Sequence, residues 1–280
     1  MLSVLERKNR EKPDWSHLQT MKNLIILPTY NEIENIQRVV EQIIAQGPFD
    51  VLVVDDNSPD GTGALADRLA AEHPGRVFVL HRARKEGLGR AYCAGFEWGL
   101  ARPYEVLFEM DADFSHDPSH LGQFMQKIQG GADLVLGSRN IKGGGTRNWS
   151  LLRQIISKGG SLYAQAILWL PYRDLTSGFK AFRREVLEAI DFNSIESNGY
   201  SFQIEMTYRA HQQGFKIEET PIIFVDRKLG VSKMNSKIVL EAMAVVWKMR
   251  LEKSLRTPRR VPPRHRRSKA PGVHISVPRS

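Results

Sequence analysis

At 280 residues, with 41% apolar and 25% charged side chains, the chain is long enough to bury one substantial α/β core. Its single cysteine, Cys93, excludes an internal disulfide and fits a reducing compartment. The net charge of +9 sits at the ends: eight cations and no acid follow Ser254, and residues 1–20 add one more, so 21–253 is neutral and does not read as a nucleic-acid-binding core.

Residues 1–20 are mixed and charged, lack the apolar core of a signal peptide, and read as a lead-in to one domain over 21–253. Asn23–Leu27 reads as a strand that ends at Pro28-Thr-Tyr-Asn-Glu32. Asn31 is then placed to cap a helix to about Gln46, with Ile33, Ile36, Val40, Ile43 and Ile44 on one face. Asp50–Val54 is the next strand, followed by Asp55-Asp-Asn-Ser-Pro-Asp-Gly-Thr62, a helix to about His73 and the strand Val77–Leu80. This alternation predicts a mostly parallel sheet flanked by helices, an α/β class in which ligands bind at the carboxyl ends of strands.

Gly87-Leu-Gly-Arg90 opens a helix over 89–101, but it lacks both the dinucleotide spacing and the Walker Lys-Ser/Thr. Glu105–Glu109 is a short apolar strand that delivers Asp111-Ala-Asp113. Two carboxylates at i and i+2 of an extended segment face one side and repel. A hard divalent cation with oxygen ligands, Mg²⁺ or Mn²⁺, relieves that repulsion and bridges to substrate phosphates. Helix 118–129, opened by Pro118, and strand Asp133–Gly137 follow, and Gly143-Gly-Gly145 predicts a mobile loop.

Leu151–Leu170 has helical apolar spacing broken by Gly159-Gly160, with Arg153 and Lys158 on its polar face. Such a helix either lies on a membrane or packs on the core. Asp174–Phe182 leads into a strand, Tyr200–Gln213 is a helix, Pro221–Val225 a strand, and Ser236–Lys253 a C-terminal amphipathic helix. Residues 254–280, rich in Arg and Pro, predict a disordered polybasic tail. No run of about 18 apolar residues is present, so no transmembrane helix is expected.

The segments Pro28–Glu32, Asp55–Thr62, Asp111–Asp113 with Ser-His-Asp-Pro after it, Leu175-Thr-Ser-Gly178 and Arg227…Lys233 together resemble the polyprenol-phosphate (dolichol-phosphate) mannose synthases. These are inverting family 2 glycosyltransferases of GT-A, Rossmann-like fold. The resemblance spans about 22–250 and matches the type without transmembrane helices. It implies transfer of mannose from GDP-mannose to a polyprenyl monophosphate. The rival readings are glucose transfer from UDP-glucose and a non-catalytic nucleotide-sugar-binding protein.

Carried over by position, the resemblance gives Pro28, Tyr30, Glu32, Val53 and Asp55 to the guanine nucleoside. Asp111 and Asp113 would handle the metal-diphosphate, with Ala112 nearby. Ser115 stands where some relatives have a Gln metal ligand. Arg139, Arg153 and Ser157 match acceptor-phosphate positions. Arg227 and Lys233 match residues that close over the donor diphosphate. Asp113, Arg139, Arg227 and Lys233 would carry catalysis. The acceptor phosphate is already ionised, with a second pKa near 6, so no strong base is required. His116 and Glu205 are the candidates for one, and they read better as structural. A lipid acceptor implies work on the cytoplasmic face of a membrane, reached peripherally through the basic tail on an anionic surface or through an integral-membrane partner protein.

Overall fold

The computed structural model describes residues 21–149, 151–225 and 236–251, the side chains of 151–153 and 236–242 excepted. The lead-in, the basic tail, Arg227 and Lys233 lie outside the described residues, as does the side chain of Arg153.

The elements in order are β1 (Asn23–Thr29), α1 (Ile36–Ala45), β2 (Phe49–Asp55), α2 (Thr62–Glu72), β3 (Val77–His81), α3 (Leu88–Leu100) and β4 (Val106–Glu109). There follow α4 (Leu121–Gln129), β5 (Leu134–Ser138), β6 (Gly145–Arg147), α5 (Leu151–Leu168), β7 (Lys180–Arg183), α6 (Arg184–Glu188) and α7 (Gly199–Gln212). Last come β8 (Ile217–Pro221), β9 (Ile223–Val225) and α8 (Ser236–Leu251). Seven strands form one sheet in the order β3-β2-β1-β4-β7-β5-β8, parallel except for β7, which runs antiparallel to β4 and β5.

The strands are apolar on both faces because helices cover both. Ile25, Leu27, Val51 and Val53 enter the core under α1 and α4, while their neighbours Leu24, Ile26, Leu52 and Val54 enter the one under α3 and α7. Each fully buried aliphatic side chain contributes about 1.5–3 kcal/mol of transfer free energy. On the second face α3 lies unusually close. A Cβ added at Gly95 would stand 2.5 Å from Ile26 Cγ2, and one at Gly99 2.5 Å from Leu107 Cδ2. These glycines let the helix settle on β1 and β4, the strands that present the site.

Several expected elements shift. Asn31 does not cap α1: it adopts φ 62°, its amide donates to Ser58 Oγ at 3.1 Å, and the helix starts five residues later. Asp60 holds this corner, accepting from Thr62 and from the Ile33 amide. The segment after Pro118 opens as a short 3-10 turn before α4. Gly143–Gly145 is not a free loop throughout: Gly145–Arg147 pairs in parallel with β9. Helix α5 runs through Gly159-Gly160 without a break. Strand β8 was not anticipated: its Glu218 and Glu219 mask the apolar signal, and parallel pairing with β5 decides it.

Candidate active site

The carboxyl ends of β2, β1 and β4 meet where the strand order doubles back, the place where open parallel sheets leave a crevice. A cleft of about 250 Å³ opens there. Pro28, Tyr30 and Glu32 line it from the end of β1, and Asp111, Ala112 and Asp113 from the end of β4. Asp56, Lys85 and Leu88 complete the walls, and sequence reasoning had not assigned them. Lys85 Nζ stands 3.7 Å from the Tyr30 ring centroid, a cation–π contact across the cleft wall. Its signal in the sequence was weak: a cation just before the Gly87 turn.

Val53 and Asp55 are not among the lining residues. Val53 is buried within β2. Asp55 turns back into its own loop, accepting from Thr29 Oγ1 (3.1 Å), Ser58 Oγ (2.6 Å) and the Ser58 amide (3.1 Å). Asp56 instead faces the cleft, held by Arg82 Nη1 at 2.5 Å. Burial raises its carboxyl above the ordinary value, against the opposing pull of Arg82.

Asp111 and Asp113 do come together, although β4 ends at Glu109 and both lie on the loop beyond it. Neighbouring groups fix that loop. The Tyr92 hydroxyl donates to Asp111 Oδ1 at 3.1 Å, the Asp111 amide donates to His116 Nδ1 at 3.2 Å, and the Ser115 amide donates to Asp113 Oδ1 at 3.0 Å. Phe114 sits at φ 60°, a left-handed conformation that costs a bulky residue on the order of 1–3 kcal/mol. The surrounding bonds hold it there.

The donor set suits a hard cation. Ser115 Oγ is buried without a hydrogen-bond partner beside the two carboxylates, so the oxygens at hand are carboxylate and hydroxyl. Among the described residues no group of three or more His, Cys, Asp or Glu could hold a metal alone. Mg²⁺ or Mn²⁺ bound by one or two carboxylates, with phosphate oxygens completing its shell, fits that sparse set.

His116 and Glu205 both sit in closely packed, hydrogen-bonded surroundings. His116 packs between Phe179 and Phe224 with ring centroids 5.1 and 5.3 Å away. Burial depresses its pKa to about 4, so the ring is neutral and its 3.8 Å approach to Asp111 Oδ2 is not an ion pair near neutrality. Glu205 is tied to Arg209 and Ser197. Beneath the loop lies a buried pair, Glu109 and Lys180, opposite each other across β4 and β7. Burial pushes the carboxyl up to about 7 and the ammonium down to about 8. Lys180 Nζ donates to the Gln203 carbonyl at 2.6 Å.

A second pocket, of about 170 Å³, is lined by Arg139, Asn140, Trp149, Gln154, Ser157 and Lys158 among others. It unites Arg139 and Ser157 from two distant segments. Asp174 clamps Arg139, accepting from Nε and Nη2 at 2.7 Å each and from the Arg139 amide at 2.9 Å. Thr176 Oγ1 takes a further bond from Nη2 at 2.8 Å. Burial alone would lower the Arg139 pKa, but the Asp174 carboxylate outweighs it and the net direction is up. Burial likewise works against the Asp174 anion, yet Arg139 holds its pKa below the ordinary value. Among the described residues Nη1 makes no hydrogen bond, which leaves it for a ligand. Phe224 packs on the His116 ring and lies 5.5 Å from the Arg139 guanidinium. Gly178 lies beside this loop, where an added Cβ would stand 3.6 Å from Asp111 Oδ2, an ordinary contact distance.

Residues 24–191, which run from the second residue of β1 through β7 and include both carboxylates, match the pattern described as Glycosyl transferase family 2. The chain belongs to glycosyltransferase family 2. This family 2 glycosyltransferase is 50% identical over 234 residues to the polyprenol monophosphomannose synthase of Mycolicibacterium smegmatis, covering 82% of this chain and 88% of that one. It is 52% identical over 227 residues to the undecaprenyl-phosphate mannosyltransferase of Micrococcus luteus, covering 81% and 93%. Its fold resembles glucosyl-3-phosphoglycerate synthase from Mycobacterium tuberculosis, solved with Mn²⁺, UDP and glucosyl-3-phosphoglycerate. The TM-score is 0.61 over 82% of this chain and 80% of that one, at 17% identity. The fold is therefore GT-A, and the glycosyltransferase is a single α/β domain.

Proposed function

We propose that this glycosyltransferase moves mannose from GDP-mannose to a polyprenyl monophosphate with inversion, giving polyprenyl-phosphate mannose and GDP. The observation that carries the reading is identity of 50% and 52%, over nearly whole chains, to two enzymes named for mannose transfer to lipid phosphates. Two pockets of opposite chemistry support it, an acidic cleft for a metal-diphosphate and an arginine pocket for a second phosphate.

The acceptor phosphate enters the second pocket, where Arg139 Nη1 and the Ser157 hydroxyl bind its oxygens and orient one of them. Asp174 keeps the guanidinium charged and fixed. The phosphate oxygen attacks the anomeric carbon as the bond from that carbon to the donor's β-phosphate oxygen breaks on the opposite face. The attacking group is already an anion, so no base has to take a proton. A divalent cation at Asp111 and Asp113, when bound, offsets negative charge on the departing diphosphate. Asp113 thus serves the leaving group, while Tyr30, Glu32 and Asp56 surround the nucleoside. Arg227 and Lys233 are proposed to close over the diphosphate. The enzyme works peripherally at the cytoplasmic membrane face; no described helix is long and apolar enough to cross a bilayer.

The test is transfer of labelled sugar to a short polyprenyl phosphate with Mg²⁺ or Mn²⁺. GDP-mannose is expected to outrun UDP-glucose by a wide margin. Preference for UDP-glucose would replace the mannosyl reading with glucosyl transfer, and no turnover with either would leave a binding protein.

A further inference from the structure

The segment Asp174–Gly178 runs from one pocket toward the other. Asp174 and Thr176 hold the Arg139 guanidinium, and two residues further on Gly178 faces Asp111. A Cβ placed on Gly178 would meet Gln203 Nε2 at 3.5 Å, Asp111 Oδ2 at 3.6 Å and His116 Cε1 at 3.6 Å, with nothing beyond its chain neighbours nearer. Gly178 is partly exposed and Gln203 only 2% exposed, so the amide lies one layer behind the surface. Gln203 projects from α7, where its backbone carbonyl accepts from Lys180 Nζ at 2.6 Å and from Thr207 Oγ1 at 3.0 Å. Those bonds fix the helix at this turn. The side-chain amide makes no hydrogen bond: Oε1 and Nε2 are both buried without a partner. Burial raises the Glu109 pKa while Lys180 and the nearby amide pull it back, yet no bond of ordinary length joins Glu109 to Gln203. An amide nitrogen carries two hydrogens, so one can face Glu109 and the other the space at Gly178. A buried amide left unpaired is costly, and a ligand that pairs with it recovers that cost.

We propose that Gly178 and Gln203 form a donor-sugar subsite, in which the hydroxyl on C2 of the hexose stands over Gly178 and takes a hydrogen bond from the Gln203 amide. Place, size and chemistry all bear on this. On the reading above, on which this rests, the anomeric carbon stands between the departing diphosphate and the attacking phosphate. Asp111 marks the first side and Arg139 the second, and the segment that ends at Gly178 spans them. The space over Gly178 admits an atom the size of a methyl group at ordinary contact distance. An oxygen about half an ångström nearer Gln203 reaches hydrogen-bonding range. The walls offer an amide and a carboxylate oxygen, a donor and an acceptor, which suits a hydroxyl because it plays both parts. A phosphate would be repelled by the same carboxylate. The C2 hydroxyl is the one next to the anomeric carbon and therefore nearest the diphosphate that Asp111 serves. Mannose and glucose differ only in the direction of that hydroxyl, axial or equatorial. One amide held on a rigid helix can therefore tell them apart.

The experiment is a cycle of two enzymes and two donors. Full-length wild type and Gln203→Met are each given GDP-mannose and GDP-2-deoxymannose with a short polyprenyl phosphate, and kcat/KM is read for every pair. Methionine keeps the length of the side chain and lacks the amide. The wild type is expected to favour GDP-mannose over the 2-deoxy donor about tenfold more than Gln203→Met does. GDP binding by calorimetry and the acceptor KM should stay within about twofold. The different intrinsic reactivity of a 2-deoxy sugar enters both ratios and cancels. A purely structural role would lower both donors' rates alike, so an equal preference in the two enzymes would overturn the proposal. Gly178→Ala is the second arm. The Gly178 backbone lies outside the left-handed region and the added methyl meets only ordinary contacts, so this variant should unfold in urea as the wild type does. It should lower kcat/KM for GDP-mannose at least about tenfold, and less for the 2-deoxy donor, while GDP binding holds. Undiminished turnover of Gly178→Ala would equally overturn the proposal, and this arm decides alone if Gln203→Met does not fold. If UDP-glucose proves to be the donor, the mannosyl reading fails, while the same cycle with UDP-glucose and its 2-deoxy form still judges Gln203.

Discussion

Tyr92 donates its hydroxyl to Asp111 Oδ1 at 3.1 Å from a fully buried ring that stacks on Phe202. Burial, reinforced by the Asp111 charge, pushes the phenol well above its ordinary pKa, so it remains a donor at any working pH. The bond fixes which way Asp111 presents its second oxygen to the cleft. Groups that orient a metal-binding carboxylate affect affinity by roughly 10- to 100-fold. Tyr92→Phe keeps the ring and removes only that bond. It is expected to weaken Mn²⁺ binding by about tenfold, read by the paramagnetic resonance signal of free Mn²⁺. Unchanged affinity would strip Tyr92 of this positioning role.

On the proposed mechanism Asp113 bears on the leaving group directly. Asp113→Ala should lower turnover by at least about a hundredfold, the scale of losing one preorganised electrostatic contact to developing charge. It should also abolish the metal dependence of GDP binding, measured by calorimetry with and without EDTA. Full activity of the wild type in EDTA would refute a metal at this pair.

Asp174 never needs to touch substrate to matter. Its carboxylate and the Arg139 guanidinium are both almost wholly buried and joined by two bonds of 2.7 Å. Asp174→Ala leaves a buried cation without its partner, which costs on the order of 3–5 kcal/mol. Urea denaturation should show that loss, and the acceptor requirement should rise while GDP affinity holds. A variant as stable as the wild type would mean that solvent reaches Arg139 readily.

Lys180 gives a pH signature. Its folded pKa is lowered by burial to about 8 from an ordinary 10.5. Between those values the unfolded chain holds a proton that the folded chain has released, so stability from this group rises with pH across the window. Below pH 8 the full penalty of burying the charge is present. Relative to Lys180→Met, the wild type should therefore gain roughly 3 kcal/mol of unfolding free energy from pH 8 to 10.5. Denaturant titrations of both proteins at several pH values measure the difference, in which titrating groups other than Glu109, the carboxyl facing Lys180, cancel. A flat difference would show Lys180 to be solvated.

The sequence by itself determined most of the strands, the helices between them and the strand-end motifs, because these are short-range consequences of periodicity and turn chemistry. Alternate residues of Asn23–Leu27 and Asp50–Val54 had to be apolar on both faces once helices followed each strand, and the loops after them had to carry Pro28–Glu32 and the Asp55 cluster. Asp111 and Asp113 were legible as a pair for the same reason. Contacts across long stretches of chain were not legible. Nothing local distinguishes Asp55, which turns inward to Thr29 and Ser58, from Asp56, which faces the cleft against Arg82. Strand β8 is hidden by Glu218 and Glu219 until pairing with β5 overrides their low strand propensity. The bond from Tyr92 to Asp111, 19 residues apart, and the clamp of Asp174 on Arg139, 35 apart, exist only because α3 settles on β1 and β4 and because the chain returns through β7. Tertiary structure likewise decided that α5 runs straight through Gly159-Gly160 and packs one face on α8. Spacing can mark a helix as amphipathic, but only the packing of its neighbours decides which apolar side chains stay in water.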